Sequence, residues 1–240
     1  IHRRPGTGRD QYIYFAAEPL RHGFELIDRE GDRVLSRQVG PFQILFELRW
    51  RPHVEAFAGQ SLQDDLVGLM KERFGFENPG RIPVRMLGGL REFRRFALSP
   101  NRGPGGVGGL TGIAVCCGSD EPALPQNPEL LEAARKAHSF RVLLHETVHN
   151  LHQHRCLQTR GDEQLPDISA APWAVEGLAE YGVMQIDPRA RAEVFRGLFD
   201  WLDQKGAPAS VRRIGYADES AYVFGAAMVS FAVQQYGAGR

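Results

Sequence analysis

The sequence predicts an α+β fold on three observations. Residues 11–17, 23–28, 33–39 and 42–50 read as strand-like runs, the last alternating apolar with mostly polar side chains. From residue 127 onward the apolar spacing is helical, and Asn, Asp, Pro and Gly punctuate it where helices start and stop. Strand-rich sequence comes first and helix-rich sequence later, the order of an α+β domain rather than of repeated βαβ units.

The elements follow in order. Residues 1–10 are polar and contain Gly and Pro, a loose terminus. Strand-like runs cover 11–17, 23–28 and 33–39, with Glu30-Gly31-Asp32 as a turn. A fourth run covers 42–50, where Phe42, Ile44, Phe46, Leu48 and Trp50 alternate against mostly polar positions. This part is either a β-rich subdomain or the start of the main sheet. The expected division is a β-rich segment, 1–55, and a second domain, 56–240. His53 reads as a surface or loop histidine. Residues 61–75 read as a helix capped by Ser61, striped by Leu62, Leu66, Leu69 and Met70, and stopped by Gly75. A short strand at 83–87 and a helical turn at 90–96, anchored by Phe93 and Phe96, come next.

Residues 102–112 read as a glycine-rich loop. A phosphate cradle is excluded, because no Gly-Lys-Ser/Thr follows and no helix opens directly after it. The loop enters a strand at 111–117. Asn127-Pro128 is a helix start, with Asn as cap and Pro at the first position. That helix either runs unbroken to 154 or breaks near 138. Asp187-Pro188 opens another that ends at Gly206. Asp218 caps the last, 219–236, before Gly237.

Composition bounds the function. The chain is 42% hydrophobic and 24% charged with a formal net charge of zero. There is no electrostatic case for a nucleic acid or an anionic membrane as partner, and no apolar run has the length of a membrane span. The first residue is Ile1 rather than Met, which reads as a processed or trimmed chain from which any signal peptide is already missing. The localisation is left unknown, with a secreted or periplasmic bacterial setting slightly favoured. Cys116, Cys117 and Cys156 lack the paired spacing of a thiolate zinc site. They read as buried thiols, with a bridge to Cys156 left open.

The chemistry concentrates in His145-Glu146-Thr147-Val148-His149, an H-E-x-x-H pattern within helical sequence. Positions i and i+4 lie one above the other on a helix, so both imidazoles can reach one metal ion. Zn²⁺ suits imidazole nitrogens and lowers the pKa of a bound water to about 7. Glu146, beside the first ligand, is placed to act on that water as a general base. The neighbours Val142, Leu143, Leu144, Val148 and Leu151 are apolar, so the helix reads as a core element with its histidines facing an interior or a cleft.

Downstream stands Pro172-Trp-Ala-Val-Glu-Gly-Leu-Ala-Glu-Tyr181. H-E-x-x-H followed by W-x-x-E-G-x-A-E-Y resembles the gluzincin metallopeptidases: the thermolysin-like and aminopeptidase N-like enzymes and the smaller bacterial peptidase MA-like proteins. The resemblance is specific over 140–181 and loose over about 60–237. It implies a zincin-like domain and makes Glu176 the third zinc ligand, carried on a second helix. The 26 residues between His149 and Glu176 exceed the spacing of the best-known members, and 152–171 reads as a looped insertion. Position 155 is Arg, so the metzincin pattern fails. By the same resemblance, strand 111–117 takes the place of the edge strand that lines the substrate cleft. Tyr222 takes the place of the tyrosine that hydrogen-bonds the oxyanion; the residues alone also allow a core aromatic. Tyr181 and Tyr216 are weaker candidates.

Glu180 lies at i+4 from Glu176 on the same helix. It is expected to accept the free ring N–H of a ligand histidine, His145, rather than to bind the ion. Gly177 is expected to let the two site helices approach. His152 and His154 read as solvated or supporting histidines. The expected function is zinc-dependent hydrolysis of a peptide or protein substrate. The alternative is a gluzincin-fold protein that binds zinc and a peptide or protein partner without turnover.

Overall fold

The computed structural model describes residues 25–27, 33–47, 50–58, 62–77, 80–87, 106–109, 112–116, 128–160, 171–208, 210, 214 and 220–237. The expected strand 11–17, the turn 30–32, the helical turn 90–96, the caps Ser61, Asn127 and Asp218, the Cys117 and Tyr216 positions and the His53 side chain lie outside them. The described residues form a mixed α+β structure.

Six strands make one sheet: β1 (Glu25–Ile27), β2 (Arg33–Val39), β3 (Phe42–Glu47), β4 (Ile82–Leu87), β5 (Gly106–Gly109) and β6 (Gly112–Cys116), in the order β1-β2-β3-β4-β6-β5. β1–β2 and β2–β3 pair antiparallel, β3–β4 and β4–β6 parallel, and β5–β6 antiparallel. The N-terminal strands are therefore part of the main sheet. Gly40-Pro41 turns β2 into β3, with Val39 opposite Phe42 and Gly40 at a φ of 52°, which glycine adopts without strain.

The glycine-rich stretch is not simply a loop. Gly106–Gly109 forms the edge strand, and β6 lies one place inward between β4 and β5. This corrects the expectation that 111–117 is the edge. Flexible glycines pair with a neighbour here because that neighbour, Gly112–Cys116, supplies a complete backbone ladder.

β3 departs from simple alternation. Phe42, Gln43, Ile44, Leu45 and Phe46 are all buried, as expected of a central strand with a parallel partner and both faces covered. Phe57, on helix α1 (Arg51–Ala58), lies 5.9 Å from the Phe42 ring and stacks on Phe140 at 4.9 Å. The sequence reading missed α1. Its signal is the buried pair Val54 and Phe57, three apart, with an Arg51–Glu55 bridge of 2.8 Å on the outer side.

The remaining helices are α2 (Leu62–Phe74), α3 (Pro128–Arg160), α4 (Pro172–Ile186), α5 (Pro188–Lys205) and α6 (Ser220–Tyr236). α3 is 33 residues long and unbroken, about 50 Å at helical rise. It passes both His138 and the start of the expected insertion; residues 152–160 are helix. The cause is composition, because no Gly or Pro occurs between Glu129 and Arg160. Asp187 closes α4 and caps α5, its carboxylate accepting from the Arg189 N–H at 2.9 Å, with Pro188 in the first position.

The chain divides into two compact units, one of 1–61 with 79–146 and one of 62–78 with 147–240. The first holds the sheet, α1 and the N-terminal part of α3. The second holds α2, the rest of α3, and α4 to α6. Its helices meet at glycines. Gly182 of α4 faces Val148 of α3 and Leu66 and Met70 of α2. Gly177 of α4 lies against Gly225 of α6, and Gly225 against the Trp173 carbonyl oxygen. Arg73 donates to the Tyr181 hydroxyl at 2.6 Å, and Phe74 meets that ring edge-on. Met184, Val194 and Ala226, with Phe195 against them, close α4, α5 and α6 together. Among the described residues no helix is long and apolar enough to cross a membrane.

The α4–α6 crossing yields a prediction. A methyl group at Gly225 would stand 2.2 Å from the Trp173 carbonyl oxygen and 2.9 Å from the Gly177 Cα. Backbone cannot yield as a flexible side chain does, so Gly225→Ala should cost about 1–3 kcal/mol. The midpoint of denaturant unfolding measures it; an unchanged midpoint would mean that this contact does not set the helix spacing.

Candidate metal centre

The site starts from α3. An uninterrupted helix keeps His145, Glu146 and His149 at fixed angles, and Leu143, Leu144, Val148 and Leu151 are buried along the same stretch. The apolar residues draw the helix inward, and the polar residues between them follow. His145, Glu146, Thr147, His149 and Asn150 are all buried. The expectation of a core helix with inward histidines holds.

α4 supplies the second wall. It opens at Pro172, with the Ala174 N–H donating to the Ala171 carbonyl at 3.0 Å. Its inner residues Glu176, Gly177, Ala179, Glu180, Tyr181, Gly182, Val183 and Met184 are buried. Two carboxylates are thus taken from water on one helix, and burial on that scale requires compensation for each.

His145, His149 and Glu176 meet. One ligand atom from each lies within 4.8 Å of the others. His149 Nε2 stands 3.2 Å from Glu176 Oε2. Donors bound to a tetrahedral Zn²⁺ sit about 3.3–3.5 Å apart, as bond lengths of 2.0–2.2 Å require. The His149–Glu176 pair, at 3.2 Å, is slightly closer than that, and two imidazoles with a carboxylate are a donor set zinc accepts. The residues present therefore fit a metal ion.

The other candidates fall around this group. Glu146 adjoins His145 and is buried against β5. A methyl group added to Gly106 would meet the Glu146 side chain, and one added to Gly108 its main-chain carbonyl oxygen. Glu180, one turn beyond Glu176, is buried but is not one of the three clustered residues. Tyr222 is half-buried in the first turn of α6. It lies three residues before Gly225, which touches α4 at Gly177 and Trp173. The helix that carries Tyr222 thus packs on the helix that carries Glu176.

One expectation about Gly177 is corrected. It does admit a neighbouring helix, but that helix is α6, not the motif helix; the glycine of α4 that lies against α3 is Gly182. His152 stacks on Phe76 with ring centres 5.8 Å apart. Burial first, and the neighbouring His149 second, hold its pKa below the ordinary histidine value. It is not one of the clustered residues. Sequence reasoning missed Gly106 and Gly108 as site residues. The available signal was glycine at alternate positions of a strand, which marks close approach of another backbone.

The spacing of Glu176 and Glu180 leads to a prediction. Glu176→Ala should abolish stoichiometric zinc binding. Glu180→Ala should weaken it about 10–100-fold, the effect of removing a group that orients a ligand. Competition titration with a chromogenic chelator measures both. The opposite order of losses would place the third ligand one turn further along α4.

Comparison of the sequence with protein-family models and with curated proteins finds no match.

Proposed function

We propose that the chain is a zinc-dependent peptidase of gluzincin type, built on a zincin-like domain. The observation that carries this reading is the meeting of His145, His149 and Glu176, two from an H-E-x-x-H helix and one from a W-x-x-E-G helix, with Glu146 beside them. His145, His149 and Glu176 would hold the ion. Bound there, Zn²⁺ would supply Lewis acidity and would lower the pKa of a water to about 7.

The chain's own groups do the rest. Glu146 takes the proton of the attacking water and passes it to the departing amine nitrogen. Its buried position excludes bulk solvent as a competing proton acceptor. Tyr222 donates its hydroxyl proton in a hydrogen bond to the oxygen of the tetrahedral intermediate. Glu180 accepts the outer ring N–H of His145 and holds that ring in one orientation. The substrate is a peptide or protein segment.

A peptide-library digest paired with metal analysis tests the reading. Metal-dependent cleavage that a chelator stops and Zn²⁺ restores is the expected result. Stoichiometric zinc without turnover would favour the alternative, a zinc protein that binds a peptide partner.

Two substitutions separate the roles. Glu146→Gln should keep the metal and lose about 10²–10⁴-fold in kcat/KM, the usual contribution of a general acid–base group. Loss of the metal in that variant would make Glu146 a ligand. Tyr222→Phe should lower kcat by about 10²–10³-fold with little change in KM, because an oxyanion donor acts in the transition state alone. Unchanged kinetics would return Tyr222 to the core.

A further inference from the structure

The edge strand β5 lies on Glu146 at a distance that only glycine allows. A methyl group at Gly106 would stand 2.5 Å from Glu146 Cγ, 2.6 Å from Val142 Cγ1 and 2.8 Å from Glu146 Oε1. One at Gly108 would stand 2.3 Å from the Glu146 main-chain oxygen and 3.0 Å from its Oε2. Residues two apart on a strand present the same face. The two glycines therefore bracket the carboxylate, one beside each oxygen. The strand is held in register by β6, with Gly106 opposite Val115 and Gly108 opposite Ile113. Val115 and Ile113 are fully buried, which anchors that register from behind.

We propose that Gly106 and Gly108 are positioning residues for Glu146. A glutamate has three side-chain torsions, and a general base works only within hydrogen-bond reach of the proton it takes. The β5 backbone closes off the space into which this side chain would otherwise turn. It comes close enough to do so because neither position carries a Cβ. The two contacts differ in kind. At Gly106 an added methyl group meets side-chain atoms of Glu146 and Val142. At Gly108 it meets the main chain of the motif helix, which cannot move aside alone. The kinetic consequence rests on Glu146 being the base, as proposed above; the contact itself does not.

The difference in kind supplies the test. Gly106→Ala and Gly108→Ala are each placed in the full chain and in a Val142→Ala/Glu146→Ala background, and denaturation midpoints are compared. Gly106→Ala should lower the midpoint in the natural chain and recover at least half of that loss in the truncated background. Gly108→Ala should lower it equally in both. Equal losses for Gly106→Ala in the two backgrounds would overturn the proposal.

Kinetics give an independent arm should the truncated background fail to fold. Gly106→Ala with its zinc quantified should lose about 10–100-fold in kcat, the cost of roughly an ångström of misplacement. KM should hold, which a merely structural loss would not single out. Adding Val142→Ala, which makes room, should restore part of the rate. A zinc-replete Gly106→Ala variant with unaltered kcat would equally overturn it. A natural chain that binds zinc but cleaves no peptide would sink the peptidase reading, and the denaturation comparison would then decide the positioning alone.

Discussion

Two imidazoles and a carboxylate are buried at one point, and much else in this protein depends on how that burial is compensated. A lone ionised carboxylate withdrawn from water is costly enough that it normally neutralises or finds a partner. Glu176 has one in His149 at 3.2 Å. That pair is satisfied either by a ring N–H donating to the carboxylate or by a cation that both side chains face. The second arrangement also takes in His145, whose ligand atom lies in the same small volume. A divalent cation there would offset the carboxylate charge and use a lone pair from each ring.

Bringing polar groups from separate helices to one point requires backbones to come close, and glycine is the residue that lets them. Gly182 lets α4 meet Val148 of α3, one residue before His149. Gly177, adjacent to Glu176, meets Gly225 of α6. Gly106 and Gly108 bring β5 onto Glu146. None of these glycines chelates or transfers protons. Each fixes the separation between an element that bears a chemical group and the element beside it. In closely packed interiors a separation set by backbone contact changes little with side-chain rearrangement. That rigidity is what a site with sub-ångström tolerance needs.

The part of the site that was legible in the sequence is the part governed by short-range periodicity. His145 and His149 fall on one face because helices repeat every 3.6 residues, and the apolar flanks told which way that face points. The stops and starts at Gly75, Asp187, Gly206 and Gly237 were legible for the same local reason. What was not legible depends on partners distant in the chain. The edge position of β5 follows from which strand β6 pairs with, and the double burial of β3 from α1 and the parallel neighbour. The Gly177 error was of this kind. The residue correctly signalled a close approach, but no local pattern says which helix approaches. The length of α3 was open to reading, since no breaker interrupts it; polar composition was taken for a loop where it is compatible with a partly exposed helix.

The donor set also bears on what kind of metal site this would be. Structural zinc sites close the coordination sphere with four protein ligands, usually including thiolates. Here the clustered ligands number three, and among the described residues no fourth His, Cys, Asp or Glu joins them. Cys156 lies seven residues beyond His149 on α3, about 10 Å along the axis. Glu180, the nearest carboxylate in sequence to Glu176, is one turn away on α4. A three-ligand set leaves one position for water or a substrate oxygen. Glu146, which belongs to the motif but not to the ligand set, adjoins the first ligand. On the reading proposed above, an open position beside a buried carboxylate is what hydrolytic chemistry would use, and a purely structural ion would need neither.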